Sequence, residues 1–264
     1  MRVESERITL NGGVSSHLGY RRGNNEDNFL MQGQINDNSV PVLELAMELR
    51  PTLYQWHCFA VFDGMGGGER GEIASWLAAE AFQQLSASGP LAQVDVDLLA
   101  ETGFWDANRR IILREDPDMY GTTGTAVFTD GEWFRVYHLG DSRAYLIRDG
   151  RLSQISVDHS RVQELVDSGL ITKEEAMMRP DRNMITRALG GDPVVQPDFF
   201  SFTIYPGDTI LLCTDGLYSE LSGARMAALC SRYKTMHRLT KQLVDEANAN
   251  GGRDNISVVC IRVQ

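Results

Sequence analysis

Apolar positions along the chain fall mostly into short runs, and this pattern predicts more strands than helices. The runs are rich in Val, Ile, Phe and Tyr and are bounded by Gly, Asp or Pro, which is typical of β-strands. They cover residues 57–63, 125–129, 133–139, 143–148, 198–205, 208–214 and 255–263.

Helical periodicity is confined to fewer segments. Around residues 70–85, apolar side chains recur at helical spacing with alanines between them. Two further helices are predicted within residues 95–114 and near residues 237–248. A fourth helical stretch, at about residues 161–168, lies in a polar segment with little core character, which we interpret as a surface flap.

Two Asp-Gly pairs indicate that neighbouring strands pair locally. Asp130-Gly131 and Asp149-Gly150 each stand between two strand-like runs. Both residue types tolerate positive φ, so each pair suits the type I′ turn of a tight hairpin. Adjacent hairpins imply antiparallel sheet, and the order of elements is not a regular βαβ alternation. The sequence therefore favours an α+β fold in which helices cover the outer faces of antiparallel sheets.

Composition excludes several classes of function. The formal net charge is −11, so nucleic acid and anionic membranes are poor partners. No apolar run approaches the roughly 20 residues of a membrane helix, and the N-terminus alternates charges without an apolar signal core. The four cysteines form no CxxC pair and are expected to be buried free thiols. We therefore expect a soluble, cytoplasmic protein.

The most informative stretch is residues 61–71, where an apolar run leads into Asp63 and then into a series of glycines. Gly66, Gly68 and Gly71 match the dinucleotide-binding fingerprint, in which a helix N-terminus holds a pyrophosphate. A carboxylate at the strand end would repel that phosphate, and the surrounding order is not βαβ, so we disfavour this interpretation. If Asp63 instead ligates Mg²⁺ or Mn²⁺, the cation reverses the local charge and attracts phosphate.

A site for such a cation needs several oxygen ligands, and other acidic residues also stand at predicted strand ends. Glu26, Asp27, Asp141, Asp215 and Asp254 each lie beside Gly, Asn or a short polar turn. Any one of them could be an ordinary turn residue, but the group as a whole indicates a metal site.

The tripeptide Thr-Asp-Gly occurs twice and separates the two interpretations. Asp130 lies in a predicted hairpin turn, whereas Asp215 ends an apolar strand with no returning strand after it. We therefore assign function to Asp215 and not to Asp130.

Together these motifs resemble those of the PPM family, the metal-dependent protein phosphatases of type 2C, and in particular its compact bacterial members. The resemblance begins at about residue 13 and follows family order through RRGNNEDNF, FAVFDGMGGGERGEIAS, GTTGTAVF, HLGDSRAYLIRDG, ITRALGG, GDTILLCTDGL and GGRDNISVV. It implies one domain over residues 1–264, a β-sandwich of two antiparallel sheets with helices on both outer faces. It also implies a flap beside the active site at about residues 159–187.

The resemblance further implies a set of metal ligands. Asp63 would bridge two ions of Mn²⁺ or Mg²⁺, and the carbonyl of Gly64 would help to hold one of them. Asp215 and Asp254 would hold the other ion. Asp141, together with Asp215, would hold a third and weaker ion.

Other residues take supporting roles by the same resemblance. Glu26 and Asp27 would act on metal-bound water or serve as additional ligands, and Asn255 would orient its neighbours. Arg22 would bind the phosphate through its guanidinium group. Met65 stands where many eukaryotic members carry a histidine that is proposed to protonate the leaving group, and methionine cannot donate that proton.

The implied activity is hydrolysis of phosphoserine and phosphothreonine in proteins, by direct attack of a hydroxide that bridges two metals. The expected partners are phosphorylated proteins and an opposing Ser/Thr kinase, and the protein is expected to be a monomer. Two alternatives stay open: a pseudophosphatase that uses this fold as a binding module, and a hydrolase of small phosphate esters. The insert at about residues 35–56 is interpreted as an extension of an edge hairpin or as a partner surface.

Overall fold

The computed structural model of the protein describes residues 8–37, 42–51, 56–66, 70–87, 95–114 and 120–264. These ranges contain thirteen strands and seven helices. The strands are β1 (Leu10–His17), β2 (Asp27–Met31), β3 (Gln34–Ile35), β4 (Val42–Leu49), β5 (His57–Gly66), β6 (Tyr120–Thr122), β7 (Gly124–Thr129), β8 (Trp133–Leu139), β9 (Arg143–Arg148), β10 (Arg151–Gln154), β11 (Asp198–Thr203), β12 (Thr209–Cys213) and β13 (Ile256–Val263). The helices are α1 (Gly71–Ala87), α2 (Val96–Ile112), α3 (Arg161–Asp167), α4 (Lys173–Met178), α5 (Asp215–Tyr218), α6 (Gly223–Arg232) and α7 (Met236–Asn250).

The strands form two antiparallel sheets that face each other. The first sheet has the order β10-β9-β12-β13-β1-β4, and the second has the order β11-β8-β7-β5-β2-β3, with β6 paired to the end of β5. The facing sides bury one apolar cluster, in which Phe29, Val61, Leu212 and Val259 have no exposed surface. Because successive side chains of a strand point to opposite faces, the same strands also supply the outer faces.

Helices cover both outer faces, which gives four layers. Helices α1 and α2 pack on the second sheet, where Phe82 and Phe104 are fully buried against its apolar face. Helices α5, α6 and α7 pack on the first sheet around Leu217, Leu229 and Leu243. The α+β fold that the order of elements predicts, and the sandwich of two antiparallel sheets that the family resemblance implies, are therefore confirmed. Helix α6 was not predicted from the sequence.

The tight hairpin predicted at Asp149-Gly150 is confirmed. Arg148 pairs with Arg151, so only two residues form the loop. Both loop residues have positive φ, 52° and 73°, as a type I′ turn requires.

The prediction of a tight two-residue turn at Asp130-Gly131 is wrong. Thr129 pairs with Phe134, so the loop is longer than two residues. The carboxylate of Asp130 accepts hydrogen bonds at 2.9 and 3.0 Å from the backbone N–H groups two and three residues further on. The side chain of Asp130 thus caps a wider turn, and its role is structural.

The insert at residues 35–56 crosses between the sheets. Strand β3 pairs with β2 in the second sheet, whereas β4 pairs along its whole length with β1 at the edge of the first sheet. Residues 38–41 and 52–55 of the insert lie outside the described ranges. The insert therefore adds an edge strand to the other sheet and does not extend the β2–β3 hairpin.

All four cysteines are free and buried, as predicted from the sequence. Burial raises the pKa of the Cys58 and Cys213 thiols far above the usual range, so neither is a ready nucleophile.

In the part of the chain that the structure describes, no helix combines the length and apolar character needed to cross a membrane.

The first residue of helix α7, Met236, lies so close to Gly13 of β1 that only glycine fits at this position of the strand. A Cβ atom at Gly13 would lie 2.4 Å from the backbone carbonyl carbon of Met236. Gly13→Ala should therefore push α7 away from the sheet and lower the free energy of unfolding by about 1–3 kcal/mol. Urea denaturation of the purified variant measures this change.

The matched control is Gly223→Ala. A Cβ atom at Gly223 would meet only a Leu152 side-chain carbon at 3.7 Å, an ordinary contact. Equal losses of stability in the two variants would contradict the close approach of α7 to β1.

Candidate active site

Asp63 lies inside β5 at the point where this strand changes neighbours. Up to Val61 the strand pairs with β7, and from Gly64 to Gly66 it pairs with β6. On the other side, Asp63 is the register partner of Asp27 at the start of β2. The prediction that Asp63 ends its strand is therefore wrong, and two carboxylate residues stand side by side on neighbouring strands.

Two threonines hold the backbone of Asp63 at this change of neighbours. Its N–H group donates to Thr123 Oγ1 at 2.9 Å, and its carbonyl accepts from Thr122 Oγ1 at 2.8 Å and from the Thr123 N–H group at 2.9 Å. Thr123 Oγ1 also lies 2.7 Å from Ser142 Oγ. Sequence reasoning recognised the Gly-Thr-Thr-Gly motif but assigned no role to it. The structure shows that these hydroxyls link Asp63 to the residue after Asp141.

Gly64 lies where three segments meet. Its N–H group donates to the carbonyl of Glu26 at 3.1 Å. A Cβ atom at Gly64 would lie 2.1 Å from the carbonyl oxygen of Gly71 and 2.5 Å from that of Glu26. Only glycine therefore lets β5 contact both the first residue of α1 and the loop before β2. Gly68, the central glycine of the fingerprint, lies outside the described ranges.

Five aspartates affect one another at this end of the sandwich. Burial raises the pKa of Asp63 well above its usual range, and the charges of Asp27, Asp215, Asp141 and Asp254 raise it further. Burial likewise raises the pKa of Asp27, with contributions from Asp254 and Asp215. Burial also raises the pKa of Asp141 and that of Asp215. The next largest contribution comes from the charge of Asp215 for Asp141, and from the charge of Asp254 for Asp215. The structure thus brings together carboxylates that repel one another.

This donor set suits a hard divalent cation. Asp27 and Asp141 each have a buried carboxylate oxygen, Oδ1, for which the described residues offer no hydrogen-bond partner. A buried polar oxygen without a partner is unfavourable, and a cation would satisfy it. Within the described ranges, no three acidic, histidine or cysteine side chains already surround one point as ion ligands. The fit therefore rests on donor type, burial and charge.

Arg22 lies beside the acidic cluster. Its Nη2 atom is 2.7 Å from Asp254 Oδ2, and 48% of its side chain remains exposed. The hydrogen bond to Asp254 raises the pKa of Arg22, and the charges of Glu26 and Asp215 add to this effect. The guanidinium group therefore faces both the carboxylates and the solvent from which a phosphate would arrive.

Asn255 ties the start of β13 to the loop that precedes β2. Its Nδ2 atom donates to the carbonyl oxygens of Leu18 and Asn24, both at 2.8 Å. Its Oδ1 atom accepts from the N–H group of Glu26, also at 2.8 Å. Asn255 thus links the segment around Asp254 to Glu26. Asn255 and Glu26, which were both predicted as site residues, are joined by a hydrogen bond beside the acidic cluster.

Two further side chains contact the acidic cluster and were missed from the sequence. Thr214 Oγ1 donates to Asp27 Oδ2 at 2.8 Å. The Tyr218 hydroxyl donates to the backbone carbonyl of Asp141 at 3.0 Å, and the Arg143 guanidinium stacks on the Tyr218 ring at 3.6 Å. The available sequence signal was their position around Asp215, one residue before it and three after it.

Residues 159–187 contain the helices α3 and α4, and short antiparallel contacts join the two ends of this segment. Ser160 forms a β-bridge with Ile185, and the N–H group of Thr186 donates to the carbonyl of His159 at 2.8 Å. Within the segment, the charge of Arg182 is one of those that lower the pKa of Asp215, against the larger effect of burial. The segment therefore lies within electrostatic reach of the acidic cluster.

Comparisons with known proteins assign this chain to a family. A sequence profile described as protein phosphatase 2C matches residues 50–254. The serine/threonine phosphatase Stp of Listeria innocua is 32% identical over 209 residues, which is 76% of this chain and 82% of the relative. The serine/threonine protein phosphatase PstP of Mycobacterium tuberculosis is 38% identical over 204 residues, which is 76% of this chain and 39% of PstP. The chain belongs to the protein phosphatase 2C family, as the sequence motifs indicated.

Solved structures agree with this assignment. The catalytic domain of PstP in complex with two manganese ions superposes with a TM-score of 0.80 at 32% identity, covering 97% of this chain and 99% of that domain. The serine/threonine phosphatase Stp1 of Staphylococcus aureus superposes with a TM-score of 0.82 at 26% identity, covering 96% of this chain and 94% of Stp1. The similarity thus extends over both sheets and both helical layers.

Mutual repulsion in the acidic cluster can be tested through stability. Because burial and neighbouring charges raise the pKa of Asp63, its ionised form is unfavourable in the metal-free native state. Asp63→Asn should therefore raise the free energy of unfolding of the metal-free protein by about 1–2 kcal/mol at neutral pH. The same variant should gain less stability from added Mn²⁺ than the wild type gains. Denaturant unfolding with and without Mn²⁺ measures both effects.

Asp149→Asn is the control, because Asp149 is an exposed turn residue outside the cluster. It should leave both quantities unchanged. A metal-free Asp63→Asn variant that is less stable than the wild type would show that the carboxylates do not repel one another as described.

Proposed function

We propose that this chain hydrolyses phosphoserine and phosphothreonine in proteins with the help of Mn²⁺ or Mg²⁺. The class of activity, a serine/threonine phosphatase, follows from membership of the protein phosphatase 2C family and from the identity to Stp and PstP. The observation that carries the proposal is the group of five aspartates in which the charges of the other four raise the pKa of Asp63, and in which Asp27 and Asp141 each have a buried oxygen without a partner among the described residues. The chain would act as one catalytic domain over residues 1–264.

The proposed metal ligands are those of the acidic cluster. Asp63 and the Gly64 carbonyl would hold one ion, and Asp63, Asp215 and Asp254 would hold a second. Asp141 would contribute with Asp215 to a third, weaker site. The PstP catalytic domain, which is in complex with two manganese ions, supports a site for two ions. When bound, such ions polarise phosphoryl oxygens and make water a stronger nucleophile at neutral pH.

The proposed role of Arg22 is to bind the phosphate of the substrate. Asp254 holds one Nη atom of its guanidinium group, which limits the orientations that the side chain adopts. The remaining donors of the guanidinium group can contact two phosphate oxygens at once. Asp254 is therefore also a positioning residue for the phosphate-binding arginine.

Glu26 and Asp27 have different environments, which favour different roles. Burial raises the pKa of the half-buried Glu26, and a carboxylate with a raised pKa is a better proton acceptor near neutral pH. We assign Glu26 to accepting a proton from the attacking water. Asp27 is fully buried and accepts a hydrogen bond from Thr214. We therefore assign it to supplying a fixed negative charge next to Asp63.

The two alternative functions are less well supported. A pseudophosphatase would have lost acidic ligands, whereas Asp63, Asp215 and Asp254 are all present at one site. A hydrolase of small phosphate esters would share the metal chemistry, so only a phosphoprotein substrate separates it from the proposed function. The proposed partners are phosphorylated proteins and the kinase that phosphorylates them. The four free cysteines fit a reducing, cytoplasmic location.

The two Thr-Asp-Gly tripeptides provide a matched test of the acidic cluster. Asp215→Asn should lower Mn²⁺-dependent dephosphorylation of a phosphothreonine protein by more than about 100-fold, because a metal ligand is lost. Asp130→Asn changes the same tripeptide in a hairpin and should leave the rate unchanged. Phosphate release from a phosphoprotein and from p-nitrophenyl phosphate measures both variants. Hydrolysis of the small ester alone by the wild type would favour the small-ester alternative.

The phosphate-binding role of Arg22 predicts a change in KM. Arg22→Ala should raise the KM for a phosphoprotein by roughly 10- to 100-fold, because charge-assisted hydrogen bonds to phosphate are lost. Arg21→Ala removes the neighbouring exposed arginine and serves as the control. An unchanged KM in the Arg22 variant, measured by steady-state kinetics, would rule out that Arg22 binds the phosphate.

A further inference from the structure

Asp254 lies in the loop of residues 251–255, between α7 and β13, so regular secondary structure does not fix its position. One side of this loop packs on the segment between β1 and β2. The N–H group of Tyr20 donates to the carbonyl oxygen of Gly252 at 2.7 Å. A Cβ atom at Gly19 would lie 2.2 Å from the carbonyl oxygen of Asp254. These contacts limit the movement of the loop in one direction only.

On its other side the loop is held by Glu220, a residue that the sequence motifs do not single out. Its Oε1 atom accepts from Arg253 Nε at 2.7 Å and from the Arg253 N–H group at 3.4 Å, and its Oε2 atom accepts from Arg253 Nη2 at 3.2 Å. Only 3% of the Glu220 side chain is exposed, against 61% for Arg253. The buried member of the pair thus holds the residue immediately before Asp254.

Glu220 belongs to the segment that carries Asp215. It follows the last residue of α5 by two positions, and its N–H group donates to the carbonyl of Leu217 at 3.2 Å. Its own carbonyl accepts from Asn250 Nδ2, at the end of α7, at 3.0 Å. Glu220 therefore joins the segment after Asp215 to the chain before Asp254 through its backbone as well as its side chain.

This connection opposes a repulsion between the two segments. After burial, the charge of Asp254 is the largest cause of the raised pKa of Asp215. Like charges at this site favour separation of the segments when no cation is bound. Separation would break the bidentate pair and leave the buried Glu220 carboxylate without its cation, which is strongly unfavourable.

We propose that Glu220 is a positioning residue that keeps Asp254 near Asp215 and thereby determines the affinity for the ion that these two aspartates would share. The inference rests on the proposed function, because it takes both aspartates as ligands of one ion. Glu220 acts through Arg253 and is not itself a ligand. The same support extends to Arg22, because its Nη2 atom lies 2.7 Å from Asp254 Oδ2.

Isothermal titration calorimetry of Mn²⁺ into the metal-free full chain tests this role. Glu220→Ala should raise the dissociation constant of one Mn²⁺ ion by about 10-fold, because the support of a ligand is lost. Arg253→Ala removes only the exposed member of the pair and should act in the same direction. Glu220→Gln can still accept a hydrogen bond from the Arg253 N–H group, so its effect should be smaller.

The matched control is Glu246→Ala. Glu246 also forms a bidentate pair with an arginine, accepting from Arg225 Nε at 2.7 Å and from Arg225 Nη2 at 2.6 Å. This pair joins α6 to α7, and neither helix carries a proposed site residue. Glu246→Ala should leave the dissociation constant of Mn²⁺ unchanged, and urea denaturation of each variant measures its loss of stability.

The dependence of the rate on Mn²⁺ distinguishes a positioning residue from a ligand. In Glu220→Ala, the Mn²⁺ concentration for half-maximal hydrolysis of a phosphothreonine protein should rise about 10-fold. The kcat at saturating Mn²⁺ should stay within about 3-fold of the wild type, because Asp254 keeps its ligand oxygens and a high ion concentration offsets its looser placement. Asp215→Asn removes a proposed ligand and should not recover in this way.

Hydrogen exchange of the metal-free protein provides a readout that does not depend on the ion. Amide exchange over residues 251–255 should be faster in Glu220→Ala than in the wild type and unchanged in Glu246→Ala. If the wild type binds Mn²⁺, then wild-type affinity in both Glu220→Ala and Arg253→Ala, or an equal loss of affinity in Glu246→Ala, would overturn the positioning role alone. A wild type that binds no Mn²⁺ would overturn the proposed function and this inference together.

Discussion

The repulsion among five buried or half-buried aspartates is the constraint on which this site depends. Each carboxylate raises the cost of ionising the others, and burial adds to that cost. The surrounding structure therefore has to hold each one in place. Thr122 and Thr123 fix the backbone of Asp63, and Thr214 binds the side chain of Asp27. Such a preorganised cluster of oxygen donors is stable when a divalent cation balances its charge.

Both sheets contribute to this cluster. Asp27 and Asp63 belong to strands of the second sheet, and Asp141 follows β8 of the same sheet. Asp215 and Asp254 flank strands β12 and β13 of the first sheet. The apolar layer between the sheets determines the distance between these two groups. Packing of the sandwich core is thus also what assembles the site, and the close approach of Gly64 to Gly71 brings α1 to its edge.

Local patterns were sufficient for most elements. The strands β7, β8, β9, β12 and β13 and the helices α1, α2 and α7 lie within a few residues of their predicted bounds. The errors arose where a non-local contact decides the conformation. Asp63 does not end β5, because β6 continues the pairing beyond it. β4 joins β1 across the sandwich, and no local pattern indicates which sheet an edge strand will join.

By itself, the sequence determined the fold class, the family and the set of candidate acidic residues. These depend on residue types and on spacing along the chain, which motifs record directly. Only the tertiary structure decided which side chains support them. The bonds of Asp254 to Arg22, of Thr214 to Asp27 and of Asn255 to the loop before β2 join residues separated by 232, 187 and 231 positions. Such contacts exist only once the two sheets have packed, because packing and not chain order brings these atoms within hydrogen-bond distance.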